Sequence, residues 1–203
     1  MTSIDAAVIT GAGRGIGKAI ATYWGAQGVH ILCISKTLKV EETVKKINDN
    51  GGVAEALALD ISNYVETEKI VRAWIKKNSF KRLGLFLAAG VLGPKGGLMD
   101  TELSDWDVCF QTNVLGNLAV LKALLPRIKQ EKYGRIVFFS GGGAAFPFPA
   151  FSAYSASKTA IVRIVENLHE ELIDQGDFKI IALAPGTVKT DMLQSVIDSG
   201  VIV

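Results

Sequence analysis

The sequence predicts an α/β fold built on a doubly wound parallel sheet. Three observations predict it. Strand-like and helix-like segments alternate along the chain. A glycine-rich turn, Thr10-Gly-Ala-Gly-Arg-Gly-Ile-Gly17, follows the first apolar strand. Polar and turn-forming residues (the glycine turn, Asp60, Gly90, Ser140 and Pro185) fall at the carboxyl ends of successive strands, where such sheets bind ligands.

Ala6–Thr10 reads as a short buried strand, apolar up to Thr10. The glycine turn leads into a helix over about Gly15 to Gln27. Val29–Ile34 is a second strand and Val40–Asn50 a second helix. Ala54–Leu59 is a third strand, closed by Asp60. A third helix runs from Val65 to Lys77, with Val65, Ile70, Val71, Trp74 and Ile75 near helical spacing. Leu83–Ala88 is the fourth strand, and a Gly/Pro loop follows from Gly90 to Gly97. Ser104 offers a capping hydroxyl to a long helix ending near Gln130. Arg135–Phe139 is the fifth strand, and Ala153 to about Gln175 the next helix. Lys179–Ala184 is the sixth strand, stopped by Pro185-Gly186. Right-handed crossovers then give a Rossmann-type sheet in the order 3-2-1-4-5-6, covered on both faces. No repeat or linker interrupts it, so one domain, 1–203, is expected.

Composition narrows the function classes. The chain has 203 residues, 49% hydrophobic and 21% charged, with a net charge of +2. That balance points to no nucleic-acid and no membrane partner. Cys33 and Cys109 sit in apolar patterns and read as core residues rather than a framework. No signal-like leader is read at the N-terminus, and no apolar run nears the roughly 18 residues that span a bilayer. A cytoplasmic protein is expected, with no metal site.

The turn fits TGxxxGxG through Gly11, Gly15 and Gly17, with Gly13 and Arg14 between and Ile16 inside. Glycines let backbone N–H groups approach a phosphate, and the next helix aims its positive end there. A plain strand-to-helix turn also uses glycine, but the position after the first strand favours a nucleotide. The second strand ends at Ser35-Lys36-Thr37, without the acidic residue that holds a ribose 2′-hydroxyl in NAD sites. Lys36 and Arg14 can flank a 2′-phosphate instead, which points to NADP(H) over NAD(H). The bland alternative is a solvated lysine at a strand end. Asp60 either meets an adenine or caps the next turn.

Tyr154 and Lys158 stand four residues apart at the start of a helix and share one face. A phenol titrates near pH ~10, and an adjacent ammonium favours its ionised form. Alone, the pair is more often coincidence than chemistry.

Together, the glycine turn and the Tyr154/Lys158 pair resemble the short-chain dehydrogenase/reductase family, in its standard-length branch. Asn113-Val-Leu-Gly116, Asp60-Ile61 and Pro185-Gly-Thr-Val-Lys-Thr190 match further motifs in order, from Val8 to about Met192. The resemblance implies reversible hydride transfer between a nicotinamide cofactor and a small carbonyl or alcohol. Tyr154 would be the general acid and base. Lys158 would hold the ribose hydroxyls and lower the tyrosine pKa. Asn113 would hold a water that links Lys158 to solvent; the bland reading is a polar residue that satisfies helix backbone. Asp60 and Ile61 would lie on the adenine side, and Ala89 and Gly90 against the ribose. Pro185, Gly186, Val188 and Thr190 would close over the nicotinamide. A homodimer or homotetramer is implied, paired through the helices Ser104–Gln130 and Ala153–Gln175.

The chain departs from the family pattern at three places. The usual catalytic serine lies thirteen residues before the tyrosine, which is Gly141 here. Either Ser140 supplies the hydroxyl or N–H groups of Gly141 to Gly143 stabilise the oxyanion. A third reading has Ser140 only tying down the loop. Leu87-Ala88-Ala89-Gly90 replaces an Asn-Asn-Ala-Gly motif, so bracing bonds across the sheet are expected to be lost. Family members usually add a substrate lid and a seventh strand after the Pro185-Gly186 loop; the sequence stops at Val203, and both are expected to be missing. Ala144 to Phe151, with Val91 and Leu92, offers an apolar wall for a carbonyl substrate, or packing for the Tyr154 helix or a second subunit. Two rival functions remain: a nucleotide-binding sensor or scaffold without turnover, and epimerisation or dehydration on the same scaffold.

Overall fold

The computed structural model describes residues 4–198 and 200. Met1–Ser3, the start of the expected domain, and Val203, its expected end, lie outside them. Six parallel strands form one sheet in the order β3-β2-β1-β4-β5-β6. They are β1 Ala6–Thr10, β2 His30–Ser35, β3 Val53–Ala58, β4 Leu83–Leu87, β5 Tyr133–Phe139 and β6 Asp177–Leu183. The connecting helices are α1 Gly15–Ala26, α2 Lys39–Asp49, α3 Tyr64–Lys76, α4 Leu103–Phe110, α5 Asn117–Glu131 and α6 Ser152–Leu172. A seventh, α7 Asp191–Ile197, was not foreseen in the sequence.

The central strand β1 is buried at all five positions, as a strand covered on both faces must be. Two cores flank the sheet. Leu85, Leu87, Leu124, Ile136, Phe138 and Ile161 pack between the sheet and the α3, α5 and α6 side. Ile9, Ile31, Cys33, Val40 and Ile47 pack under α1 and α2. Each such side chain contributes about 1.5–3 kcal/mol by leaving water.

Among the described residues, the second face is not fully covered, contrary to expectation. Helices α1 and α2 lie over the β1 to β3 half. Beyond α1, Phe86, Val137, Ile181 and Leu183 line a groove of about 570 Å3. Ile181 is 50% exposed and Leu183 42%. The β6 burial pattern alternates, as for a strand covered on one face.

The long helix also differs from expectation. Glu102 is its N-cap residue, without a side-chain capping bond, so Ser104 lies inside the first turn. Between α4 and α5 the chain makes a π-helical segment, Gln111–Gly116, centred on Asn113. Such segments hold an extra residue in a turn and mark functional sites. From Leu103 to Glu131 the helix is long and apolar enough to cross a membrane, which corrects the expectation of no such run. Val120, Leu121, Leu124 and Ile128 are nonetheless buried, which makes it a core helix.

Candidate active site

At the first turn, Gly11 and Gly15 adopt φ of +69° and +53°. Side chains rarely adopt those angles. A Cβ on Gly11 would lie 3.0 Å from the Ala89 backbone, and one on Gly17 would strike the Gly11 carbonyl. Gly13 packs on Ser35, where a Cβ would meet Oγ at 2.9 Å. Arg14 is the N-cap of α1 but makes no side-chain capping bond, and the first turn carries no acid. The helix thus begins with its positive end uncompensated.

The floor is braced by a residue the sequence reading missed. Asn117 is 1% exposed. Its Oδ1 accepts from Thr10 Oγ1 at 2.7 Å, and its Nδ2 donates to the Ala89 carbonyl at 3.0 Å. Ala89 N donates to Thr10 Oγ1 at 3.0 Å. The expected loss of bracing beside Ala89 and Gly90 is therefore corrected: Thr10 and Asn117 supply it from neighbouring elements. Ile61 is 5% exposed and backs onto Gly116, where a Cβ would strike the Ile61 carbonyl.

Asn113 forms a two-point clamp. Its Oδ1 accepts from Val91 N at 2.7 Å and its Nδ2 donates to Val91 O at 2.9 Å. Nδ2 also lies 2.9 Å from Ser157 Oγ. The side chain fixes the loop after Ala89-Gly90 to helix α6. That is the backbone-satisfying reading, carried out on a neighbouring loop.

Tyr154 and Lys158 project from α6, with Lys158 Nζ 5.5 Å from the Tyr154 ring centre. Lys158 is 5% exposed, and Nζ donates to the Phe139 carbonyl at 2.8 Å. Burial pushes its pKa down to about 8, against an opposing pull from Cys109. Burial, and then Cys109, raise the Tyr154 phenol above its ordinary value. Burial is thus the larger influence on the phenol, and Lys158 is the nearest cation to its ring.

Ser140 is 6% exposed, and its hydroxyl donates to the Lys158 carbonyl at 3.3 Å. That bond ties the end of β5 to α6, the loop-fixing alternative. The residue that faces the phenol is Gly141, where a Cβ would lie 2.9 Å from Tyr154 Oη.

Pro185, Gly186 and Val188 form the rim. Thr190 caps α7, its Oγ1 accepting from Leu193 N at 3.3 Å. Helix α7 brings Met192, Leu193 and Val196 to the cavity. The two cations expected to flank a 2′-phosphate each meet a carboxylate: Lys36 with Asp60 at 2.7 Å and Arg14 with Asp191 at 3.1 Å.

All the expected site residues except Gly13 and Asn113, which stand behind its wall, line one cavity of about 950 Å3. Val91, Leu92, Phe146, Pro147 and Phe148 form its apolar side. The rest of the expected wall divides: Phe151 is 2% exposed and stacks under Phe148 at 4.8 Å. Among the described residues, no three His, Cys, Asp or Glu side chains are grouped to hold a metal ion.

Comparison with known proteins agrees with this architecture. The short chain dehydrogenase family matches residues 5–199. A 3-oxoacyl-[acyl-carrier-protein] reductase of Synechocystis sp. is 28% identical over 199 residues, covering 96% of this chain and 79% of the relative. A crystal structure of a putative NAD(P) dependent gluconate 5-dehydrogenase from Beutenbergia cavernae, with bound NADP at low occupancy, superposes with a TM-score of 0.89 at 27% identity, over 95% of this chain and 76% of that one. A short chain dehydrogenase/reductase from Burkholderia phymatum in complex with NAD gives 0.86 at 27% identity, over 97% and 71%. With the family matched over nearly the whole chain and the same sheet order beneath it, this chain belongs to the short-chain dehydrogenase/reductase family.

Proposed function

We propose that the chain is an NADP(H)-dependent oxidoreductase that interconverts a small carbonyl compound and its alcohol, with Tyr154 as general acid and base. The observation that carries this reading is the shared cavity: Tyr154 and a buried Lys158 open onto the same space as the glycine turn. The turn fits a dinucleotide pyrophosphate. Its glycines keep Cβ atoms out of the approach, and α1 starts without a capping side chain. When bound, the nicotinamide supplies or accepts the hydride.

The chain's own residues supply the rest. Tyr154 gives its phenolic proton to the substrate oxygen, and takes it back in the reverse direction. Lys158 holds ribose hydroxyls and sets a positive charge beside the phenol. Asn113 keeps Val91, and with it Gly90, in register against the ribose. With the Ser140 hydroxyl bound to the Lys158 carbonyl, backbone N–H groups of Gly141 to Gly143 orient the substrate oxygen. Arg14 and Lys36 supply the cationic charge that favours a 2′-phosphate. Val91, Leu92 and Phe148 suit an apolar carbonyl compound.

The reading extends to the assembly and its setting. Leu103 and Leu115 are 72% and 40% exposed on the long helix, which favours a homodimer or homotetramer built there. Two free, buried thiols suit a reducing, cytoplasmic setting.

The test is NADPH consumption with a panel of ketones by the chain and its Tyr154→Phe variant. Turnover lost in the variant, with NADPH binding kept, supports the enzyme. Tight NADPH binding with no turnover on any carbonyl would return the chain to a sensor.

A further inference from the structure

The sequence places cations and no acid at the end of the second strand. The fold adds an acid from the next strand. Strands β2 and β3 run in register to Ser35 opposite Ala58, and Leu59 N donates to Ser35 O at 2.9 Å. The residues that follow are brought together, and Lys36 Nζ lies 2.7 Å from Asp60 Oδ2. The carboxylate is held from its other side. Asp60 Oδ1 accepts from Ser62 N at 3.1 Å and from Ser62 Oγ at 2.8 Å. Burial raises the Asp60 pKa, but the bonds from Lys36 and Ser62 outweigh it and hold the carboxyl below its ordinary value. Both residues line the large cavity.

We propose that Asp60 is a specificity-determining residue for the cofactor's ribose: its carboxylate shares Lys36 and limits how far the site prefers a 2′-phosphate over a 2′-hydroxyl. This rests on the dinucleotide reading above. A 2′-phosphate brings up to two negative charges to a lysine that already has a fixed counterion. It must compete for Lys36 and tolerate the carboxylate beside it. A 2′-hydroxyl brings no charge and can donate to that carboxylate. The same pair therefore serves both cofactors, Lys36 toward the phosphate and Asp60 toward the hydroxyl. Lys36 is 74% exposed on its side chain and Asp60 39%, so solvent screens the pair and the discrimination is moderate.

The test measures dissociation constants by fluorescence titration of the purified chain with NADPH, NADH, adenosine 2′,5′-bisphosphate and AMP. The last two isolate the ribose end from the nicotinamide. Asp60→Asn keeps an acceptor oxygen for Ser62 and removes the charge. It is expected to raise the preference for NADPH over NADH at least about threefold, with the same trend for the bisphosphate over AMP. Lys36→Met is expected to lower the NADPH preference about tenfold or more while NADH holds within about twofold. An equal change for both cofactors in Asp60→Asn, or a shift toward NADH, overturns the role of Asp60. If the unmodified chain binds none of the four nucleotides, the dinucleotide reading itself fails, and the proposal with it.

Discussion

A Cβ on Gly141 would sit 2.9 Å from the Tyr154 hydroxyl oxygen. The chain runs extended there, with φ −172° and ψ 170°, so backbone strain does not demand glycine. The position instead controls what touches the phenol. Gly141→Ala and Gly141→Ser bring the same Cβ against Tyr154, and only serine adds a hydroxyl. The serine variant is expected to turn over at least about tenfold faster than the alanine variant. Equal rates in the two would show that backbone N–H groups suffice.

Tyr154 titrates late in the free chain, because burial raises its pKa. Phenolate absorbance near 295 nm (roughly the ordinary tyrosinate band), taken as the chain minus Tyr154→Phe, is expected to appear only above pH ~10. Turnover by Tyr154→Phe is expected to fall by ~10²–10⁴. A Tyr154 signal at neutral pH without cofactor would contradict the burial argument.

Lys158 destabilises the folded free chain at neutral pH. Its pKa falls from an ordinary 10.5 to about 8, because burial disfavours the charge. Between those values the unfolded chain binds more protons, so stability rises with pH through this window. Below about pH 8 the penalty is complete, on the order of 3 kcal/mol. Lys158→Met removes it but strands the Phe139 carbonyl, so the net gain is smaller. The variant is expected to melt a few degrees higher at pH 7, with the gap closing toward pH 10.5. A gap that does not change with pH between ~7 and ~10.5 would show that burial does not lower the Lys158 pKa.

Asn117 joins β1, the Ala89 turn and the π-helical segment through a single amide. Its Nδ2 reaches the Ala89, Thr112 and Asn113 carbonyls at 3.0, 3.3 and 3.1 Å. Asn117→Ala is expected to cost on the order of 3 kcal/mol in urea unfolding, since several buried groups lose their partner together. A cost below about 1 kcal/mol would mean that the turn stands without it.

The open half of the sheet makes a different prediction. Ile181→Thr with Leu183→Thr removes apolar surface that is already half exposed. Folding stability is expected to change by less than about 1 kcal/mol, while concentration-dependent self-association falls in sedimentation. A large loss of stability would show that these side chains are covered in solution.

The sheet was legible in the sequence because β1 is apolar, the glycine turn follows it, and the remaining strands are short apolar runs with clear stops. The count back from Tyr154 to Gly141 reached the residue that faces the phenol. Other features carried no local signal. Lys36 and Asp60 meet only through the β2–β3 register. A buried Asn117 reads in sequence like any helical asparagine. Helix α7 spans seven residues, too few for a period to show, and its cap Thr190 was read only as a cofactor contact. The apolar residues of β6 looked buried because apolar character reports what a side chain prefers, not whether a helix lies over it.

The π-helical turn at Gln111–Gly116 makes helix length a variable of its own. Deleting a single residue after Asn113, such as Leu115, would restore a regular turn. The flanking helices would keep their phase, because the π turn already absorbs the extra residue, and the change would fall on the turn itself. Asn113, inside that turn, would come off Val91, while Val120, Leu124 and Ile128 kept their seats in the core. A one-codon change in this helix would thus uncouple folding from chemistry, leaving an intact sheet beneath a site whose ribose wall had come loose.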